Sequence, residues 1–209
     1  KEHSEQGRLI LVAGDETHPE VKGIVGFCRL GAVVFKCADE LQEITEKNPE
    51  WTKRPAILVA QTTFNIQEWR KSAFFAKKVY TNLIIFDTIC NATEMRQQVA
   101  IVLAKESDSM VVIGGKNSSN TMKLAEICSQ YCQTFHIEKA SELPQFDLST
   151  SSVIGVTAGA STPACIIKEV QETMSEFITN DELSFGEMLD QSFKSTQASL
   201  SVLLRPRFR

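Results

Sequence analysis

The 209-residue chain has no long apolar run, and no segment approaches the roughly 20 consecutive apolar residues that a membrane-spanning helix needs. Its first residues, Lys1 to Gly7, lack the apolar stretch of a signal peptide. With 22 basic and 26 acidic side chains, the net charge of -4 argues against a broad nucleic-acid or membrane surface. These absences favour a globular cytoplasmic protein without a membrane partner.

Several short motifs are missing as well. Asn117 follows Gly115 and Lys116 where a phosphate loop of the G-x-x-x-x-G-K-[ST] type needs a hydroxyl, and no G-x-G-x-x-G spacing occurs. The chain has six cysteines, but none forms a C-x-x-C pair, so a self-contained zinc or ferredoxin-type cluster has no support. The missing motifs disfavour nucleotide binding. Cys37, beside Val33 to Phe35, is predicted to lie in an apolar strand.

What the chain does contain is a repeated junction, in which an apolar strand leads into small polar residues and then into a helix. One junction spans residues 155–163, at the end of a strand predicted at 153–156, and Pro163 suits the first turn of the helix that follows. Similar loops follow the predicted strands at 9–13, 56–60 and 110–113. The first amides of a helix lack internal partners and can bind an anion. The pattern predicts an α/β fold with mainly parallel sheets, in one large or two small domains, whose loops can converge on one cleft and bind phosphate.

Each loop by itself also has an ordinary structural explanation, because Ser, Thr and Asn cap helices in most proteins. For His18 and Glu20, the alternative is a His-Pro turn with a solvated carboxylate. Cys90 lies between an apolar strand at 82–86 and a helix that begins near Asn91. It is compatible with a buried structural thiol or with a thiolate stabilised by a helix N-terminus. The residues alone leave these alternatives open.

Five segments, in order and spacing, resemble the LytB/IspH family of 4-hydroxy-3-methylbut-2-enyl diphosphate reductases, which complete the non-mevalonate isoprenoid pathway. They are residues 14–23, 61–63, 87–93, 116–120 and 157–163, within a similarity that runs from about residue 1 to about residue 175. The resemblance implies a pseudo-threefold fold of three α/β lobes. Residues 1–86 would form the second lobe and 87–175 the third, with the first lobe absent. Residues 176–209 would form a C-terminal extension or linker, similar to one that joins some bacterial relatives to RNA-binding repeats.

The implied activity converts 4-hydroxy-3-methylbut-2-enyl diphosphate to isopentenyl and dimethylallyl diphosphate by removing the hydroxyl reductively. The reaction takes two electrons that side chains cannot supply, and the resemblance implies that a [4Fe-4S] cluster would carry them. Cys90 matches the third cluster cysteine, and the other two have no counterpart in this chain. Because the first methionine is Met95, the chain is also expected to be a processed product or a fragment. Without the other two cluster cysteines, this fragment is expected to be inactive alone. The implied electron donor is a ferredoxin or flavodoxin, and nucleic acid would bind only through an absent C-terminal extension.

The resemblance also implies roles for individual residues. Glu20 would deliver a proton to the departing hydroxyl, and Thr62 would bind near that hydroxyl and relay the proton. His18 would contact the oxygen or diphosphate end of the substrate. The diphosphate oxygens would be bound by Ser118, Ser119, Asn120 and Ser161. An alternative function is a diphosphate-binding α/β module without redox activity, and a third is a phosphosugar-binding or isomerase-like domain.

Overall fold

The computed structural model describes residues 1–146, 148, 151–178 and 201–204, with the backbone alone at 175–178 and 201–204. The chain separates into two compact units, Lys1–Cys90 and Asn91–Arg209. Each unit has one sheet with helices around it, so the predicted α/β class with mainly parallel sheets is confirmed. The predicted lobe boundaries after residues 86 and 175 stay predictions, and most of the predicted extension at 176–209 lies outside the described residues.

The first unit is built on a four-stranded sheet in the order β2-β1-β3-β4, with every neighbouring pair parallel. Its strands are β1 (Leu9–Ala13), β2 (Val33–Phe35), β3 (Ala56–Ala60) and β4 (Leu83–Ile85). Its helices are α1 (Glu2–Glu5), α2 (Pro19–Gly26), α3 (Ala38–Lys47) and α4 (Ile66–Val79), with a 3-10 turn at Pro49–Lys53. β1 lies inside the sheet because all five of its residues are apolar and buried, as expected for a parallel strand covered on both faces.

Cys37 lies outside the strands of this unit, so its prediction as a strand residue is wrong. β2 ends at Phe35, and Cys37 occupies the N-cap position of α3. Two carboxylates accept hydrogen bonds from amides where the chain enters α3. Glu40 Oε2 accepts a hydrogen bond from the Lys36 amide at 2.6 Å, and Glu68 Oε2 accepts one from the Ala38 amide at 3.0 Å. The amides of Lys36 and Ala38, at the start of the helix, are therefore bound by carboxylates and not by a neighbouring strand.

The second unit has the sheet order β6-β5-β7-β8. Its strands are β5 (Ser109–Ile113), β6 (Gln133–Ile137), β7 (Ile154–Ala158) and β8 (Ser201–Leu204), and its helices are α5 (Asn91–Glu106), α6 (Ser119–Cys128) and α7 (Ala164–Ile178), with a 3-10 turn at Ala140–Gln145. β5 pairs in parallel with β6 and β7, whereas β8 pairs antiparallel with β7. β8 was not predicted from the sequence. No helix among the described residues has the length and apolarity to cross a membrane.

The strand orders determine where ligands can bind in each unit. From β1 the chain continues to β2 on one side, and from β3 it continues to β4 on the other side. The loops after β1 and β3 therefore leave adjacent strand ends in opposite directions and border a crevice, the usual ligand site of open α/β sheets. The loops after β5 and β7 have the same relationship within the second unit.

Candidate functional site

In the first unit, the crevice holds a carboxylate that is bound by a single residue of the opposite loop. The amide of Thr62 donates to Glu20 Oε1 at 2.9 Å, and its hydroxyl donates to Glu20 Oε2 at 2.9 Å. Glu20 is the second residue of α2 and is half-buried, while Thr62 follows β3 and is exposed. An ionised carboxylate only accepts hydrogen bonds, whereas a hydroxyl can donate or accept. The Thr62 hydroxyl can therefore stay bonded to Glu20 whether or not Glu20 carries a proton.

His18 begins the helix that carries Glu20. It occupies the N-cap position, and its Nδ1 accepts a hydrogen bond from the Glu20 amide at 3.2 Å. Pro19 follows at the first helical position, where its missing N–H costs nothing. Because Nδ1 accepts, a neutral His18 carries its proton on Nε2, which can donate to a ligand oxygen. The backbone thus ties His18 and Glu20 together.

Gln61 supports this crevice and was given no role by the sequence analysis. Its side chain is 3% exposed, and its Oε1 accepts from the Asp15 amide at 3.0 Å while its Nε2 donates to Thr63 Oγ1 at 3.0 Å. Gly14 permits this close packing, since a Cβ there would lie 2.7 Å from Val21 Cγ2 and 3.1 Å from Gln61 Cβ. The sequence signals for Gln61 were its place directly after β3 and its place in segment 61–63 of the family resemblance.

Asp15 caps the turn before His18. Its Oδ1 accepts from the Thr17 amide at 2.9 Å and from the Thr17 hydroxyl at 2.8 Å. These hydrogen bonds lower the pKa of the Asp15 carboxyl. Asp15 therefore stays ionised and shapes the loop that leads to His18.

Cys90 joins the same group of residues. Its amide donates to the carbonyl oxygen of Thr62 at 3.0 Å, its side chain is exposed, and the residue directly precedes α5. Thr62 therefore contacts Glu20 through its amide and hydroxyl and Cys90 through its carbonyl. The structure brings together His18, Glu20, Thr62 and Cys90. By contrast, burial raises the pKa of the Cys128 thiol to about 12, so this thiol is a poor metal ligand.

The fit of Cys90 to an iron–sulfur cluster is limited to one ligand. A thiolate is the ligand that iron–sulfur clusters use, and the exposed position of Cys90 leaves its sulfur accessible. The described part of the chain nevertheless contains no group of three or more His, Cys, Asp or Glu side chains that could hold a metal ion. The residues fit a single cluster ligand and not a complete set.

In the second unit, the start of α6 carries the predicted diphosphate residues. Ser118 occupies the N-cap position and accepts from the Thr121 amide at 3.4 Å, and Ser119 is the first helical residue. Asn120 is only 7% exposed, and neither polar atom of its side chain has a hydrogen-bond partner among the described residues. Buried polar atoms without partners are costly, so an unpaired amide at a helix N-terminus indicates a place for a ligand or water.

The loop after β7 is hydrogen-bonded to the last residue of β5. The amide of Gly159 and the hydroxyl of Thr162 both donate to the carbonyl oxygen of Ile113, at 2.9 Å and 3.0 Å. Gly114 has φ of +145°, and a Cβ there would lie 2.6 Å from Thr162 Oγ1 and 2.9 Å from Thr121 Oγ1. Only glycine fits at this contact. The exposed side chain of Ser161 lies in this loop, next to Thr162.

Lys116 pairs with carboxylates, which argues against a role in anion binding. Its Nζ forms an ion pair with Glu142 Oε2 at 2.9 Å, and its amide donates to Glu138 Oε1 at 2.7 Å. The hydrogen bond and charge of Glu142 raise the pKa of Lys116, and the hydrogen bond from Lys116 lowers the pKa of Glu142. Lys116 therefore anchors the loop before Ser118 to the segment after β6.

Comparisons with known proteins identify the family to which the chain belongs. Residues 1–175 match the family model described as LytB protein. The chain is 42% identical over 191 residues to a protein of Clostridium tetani and 44% identical over 175 residues to one of Clostridium perfringens, each named 4-hydroxy-3-methylbut-2-enyl diphosphate reductase. These alignments cover 91% and 82% of this chain but only 29% and 59% of those proteins. The chain thus spans less than two thirds of the length of either relative.

One solved structure gives a comparison of the fold. It is the structure of the E-1-hydroxy-2-methyl-but-2-enyl-4-diphosphate reductase from Plasmodium falciparum, with a TM-score of 0.72 and 19% identity. The match covers 92% of this chain and 64% of that chain. At this identity the likeness establishes the shared fold.

Proposed function

The chain belongs to the LytB family, and from this premise we propose that it forms the proton-donating and diphosphate-binding part of a 4-hydroxy-3-methylbut-2-enyl diphosphate reductase. Residues 1–86 and 87–175 are proposed as the second and third lobes of a three-lobed enzyme. The proposal includes a [4Fe-4S] cluster, an electron donor of the ferredoxin or flavodoxin type, and a cytoplasmic location. The observation that carries the chemistry is the Glu20 carboxylate held by Thr62.

The reaction consumes two electrons and two protons for each substrate. The allylic carbon–oxygen bond breaks, the hydroxyl leaves as water with one proton, and the second proton adds to the carbon skeleton. Electrons are the contribution of the cluster when it is bound, and Cys90 is the thiolate that this chain offers to it. The other thiolates are proposed to come from the first lobe.

Glu20 is proposed to donate the proton that departs with the hydroxyl. A carboxyl group can act as a general acid when it lies within hydrogen-bond reach of the leaving oxygen. The Thr62 hydroxyl, at 2.9 Å from Glu20 Oε2, can accept from the protonated form and donate to the ionised form. This reversal lets Thr62 pass the proton between Glu20 and the substrate oxygen. His18, bonded to the Glu20 amide, keeps Nε2 available for an oxygen of the substrate.

The diphosphate is proposed to bind the second unit. Ser118, Ser119 and Asn120 lie at the start of the ten-residue helix α6, whose free amides and dipole favour an anion. The buried Asn120 amide has no partner among the described residues, so an oxygen that accepts from Nδ2 would satisfy it. Ser161 adds a hydroxyl from the adjacent loop. Binding the diphosphate would position the short carbon chain and lower the barrier by reducing its freedom.

A second function is supported by the absence of a complete metal-ligand group among the described residues. In this alternative the chain by itself binds allylic diphosphates without redox chemistry, through the same hydroxyl and amide donors. Both functions predict diphosphate binding, and only the reductase predicts turnover.

The test uses a chimaera in which this chain replaces the segment of the Clostridium perfringens protein that it matches, so that the rest of that protein can supply the other cluster ligands. The chimaera is purified and reconstituted anaerobically with iron and sulfide. Bound iron, heat of binding with 4-hydroxy-3-methylbut-2-enyl diphosphate, and turnover with a chemically reduced viologen are measured on the same sample. Turnover that is lost in Glu20→Gln but kept in the matched variant Glu16→Gln would support the reductase. Binding without iron or turnover would favour the non-redox alternative, and the absence of both binding and turnover would overturn the two functions.

A further inference from the structure

β4 is an edge strand whose pairing with β3 ends early. The last paired residues are Leu58 and Ile85, and the Phe86 amide makes one more bond, to the Leu58 carbonyl at 2.9 Å. Ala60 comes next on β3 with its backbone groups facing β4, and it is only 1% exposed. Backbone groups of a residue so deeply buried need partners.

A side chain supplies those partners. The Ala60 amide donates to Thr88 Oγ1 at 2.9 Å, and the same hydroxyl donates to the Ala60 carbonyl oxygen at 2.5 Å. A hydroxyl can donate and accept at the same time, so it does here what the N–H and C=O of a strand residue would do. The sheet stays satisfied at Ala60 while the backbone after Phe86 is released from the ladder.

The released backbone is then anchored at the next two residues. Ile89 is 6% exposed and belongs to the core of the first unit. The Cys90 amide donates to the Thr62 carbonyl at 3.0 Å, and the Cys90 side chain remains exposed. If residues 86–88 continued as a regular strand, the chain would keep to the ladder and not be free to turn toward the loop that carries Thr62. The hydroxyl of Thr88 is thus the point where the path to Cys90 is decided.

We propose that Thr88 is a positioning residue, which fixes Cys90 beside Thr62, and through Thr62 beside Glu20, by replacing a strand backbone with its hydroxyl. What this position serves rests on the proposed function, in which Cys90 is a thiolate ligand of the cluster. A ligand that is already held in place loses less conformational freedom when it binds. Thr88 acts only through Cys90 and has no direct role in the reaction.

The competing explanation is that Thr88 merely stabilises the first unit. In that case, removing its hydroxyl would lower the protection of all core amides of the unit together. A positioning role predicts a selective loss at Cys90, because its hydrogen bond to Thr62 depends on the path from Thr88. Amide hydrogen exchange resolves the two, since it reports the opening of single hydrogen bonds.

The experiment measures amide exchange by NMR on the full 209-residue chain and three variants. Thr88→Val removes the hydroxyl at nearly constant shape, and Thr88→Ser keeps the hydroxyl. Thr81→Val is the matched control, because the Thr81 hydroxyl bonds the Thr52 carbonyl at 3.2 Å in the same unit. Thr88→Val is expected to speed exchange at Cys90 about tenfold or more beyond any change at Leu11 of β1, while Thr88→Ser and Thr81→Val keep the wild-type ratio of the two rates.

An equal change at Cys90 and Leu11 in Thr88→Val, or no change at either amide, would overturn the proposal. If Thr88→Val does not fold, Thr88→Ala is measured in its place: a selective loss of protection at Cys90 supports the proposal, and an equal change at Cys90 and Leu11 overturns it. The measurement needs neither substrate nor cluster. A negative result therefore removes the role of Thr88 and leaves the proposed reductase standing, whereas absence of binding and turnover would leave the role of Thr88 in placing Cys90 intact.

Discussion

Thr62 donates its amide and its hydroxyl to the two carboxylate oxygens of Glu20, each at 2.9 Å, across 42 residues of sequence. Two hydrogen bonds from one residue fix both the position of the carboxylate and the direction of its oxygens. Because hydrogen bonds to charged groups are stronger than neutral ones, this contact joins α2 to the loop after β3. The candidate acid of the first unit is therefore held by the structure before any ligand binds.

This relationship predicts energetic coupling between the two side chains. Glu20→Ala and Thr62→Val each break the hydroxyl–carboxylate bond, so the double variant should lose less stability than the sum of the single variants. A coupling free energy of about 1 kcal/mol is expected, because Glu20 is only half-buried. Urea unfolding of the wild type, the two single variants and the double variant measures it. Additive effects within about 0.3 kcal/mol would contradict the prediction.

Asn120 is predicted to affect stability and binding in different directions. Asn120→Ala removes two buried polar atoms that have no partner among the described residues. The free energy of unfolding should therefore decrease less than it usually does when a buried side chain is truncated. Affinity for 4-hydroxy-3-methylbut-2-enyl diphosphate should fall about tenfold, or 1.4 kcal/mol.

Thermal unfolding and calorimetric titration test this prediction in parallel. Ser129→Ala is the control, since Ser129 follows the other end of α6 and its hydroxyl bonds the Glu126 carbonyl. A large loss of stability with unchanged affinity would assign Asn120 a purely structural role.

Gly159 is predicted to tolerate no side chain. A Cβ at this position would lie 2.1 Å from Thr121 Oγ1, and Thr121 is fully buried, so it has little room to move. Gly159→Ala should destabilise the chain by about 1–3 kcal/mol through overpacking. Gly23→Ala is the matched control, because nothing lies within 4 Å of a Cβ there and alanine favours the helix by about 0.5–1 kcal/mol. The urea midpoint is expected to fall in Gly159→Ala and to rise in Gly23→Ala. Equal midpoints in the two variants would be inconsistent with the contact at Gly159.

The ion pair of Lys116 with Glu142 predicts a dependence of stability on pH. The folded state lowers the pKa of Glu142 from its ordinary value of 4.5, so the stabilisation is present above that value and is lost as pH falls through the folded pKa. The folded state raises the pKa of Lys116 from 10.5, so its contribution is present below 10.5 and is lost as pH rises through the folded pKa.

Comparing wild type with Glu142→Gln tests this dependence. The difference in the free energy of unfolding should be constant near neutral pH and shrink at acidic pH, below 4.5. It should be small throughout, because Lys116 is largely exposed and surface ion pairs contribute little. A difference that persists at strongly acidic pH would mean that the charge of Glu142 is not its source. The control is Glu106→Gln, an exposed residue at the end of α5.

Much of the fold could be predicted from local sequence. The strands predicted at 9–13 and 56–60 match β1 and β3, and those at 110–113 and 153–156 match β5 and β7 within two residues. Apolar runs followed by small polar residues are local patterns, and buried parallel strands require such runs. Cys37 was misassigned because its apolar neighbours resemble a strand. Its position before α3 depends on a distant residue, since the Ala38 amide donates to Glu68 of α4, 30 residues away.

The sequence by itself determined the α/β class, the polar loops at the strand ends and the resemblance to the LytB family, because all three depend on residue types and their order. Only the tertiary structure decided that Thr62 contacts both Glu20 and Cys90, that Gln61 supports the loop at Asp15, and that Thr88 completes the sheet at Ala60. These contacts join residues that are 28 to 46 apart in the chain. They exist because the order β2-β1-β3-β4 makes β3 the neighbour of both β1 and β4, and strand order depends on pairing between distant segments.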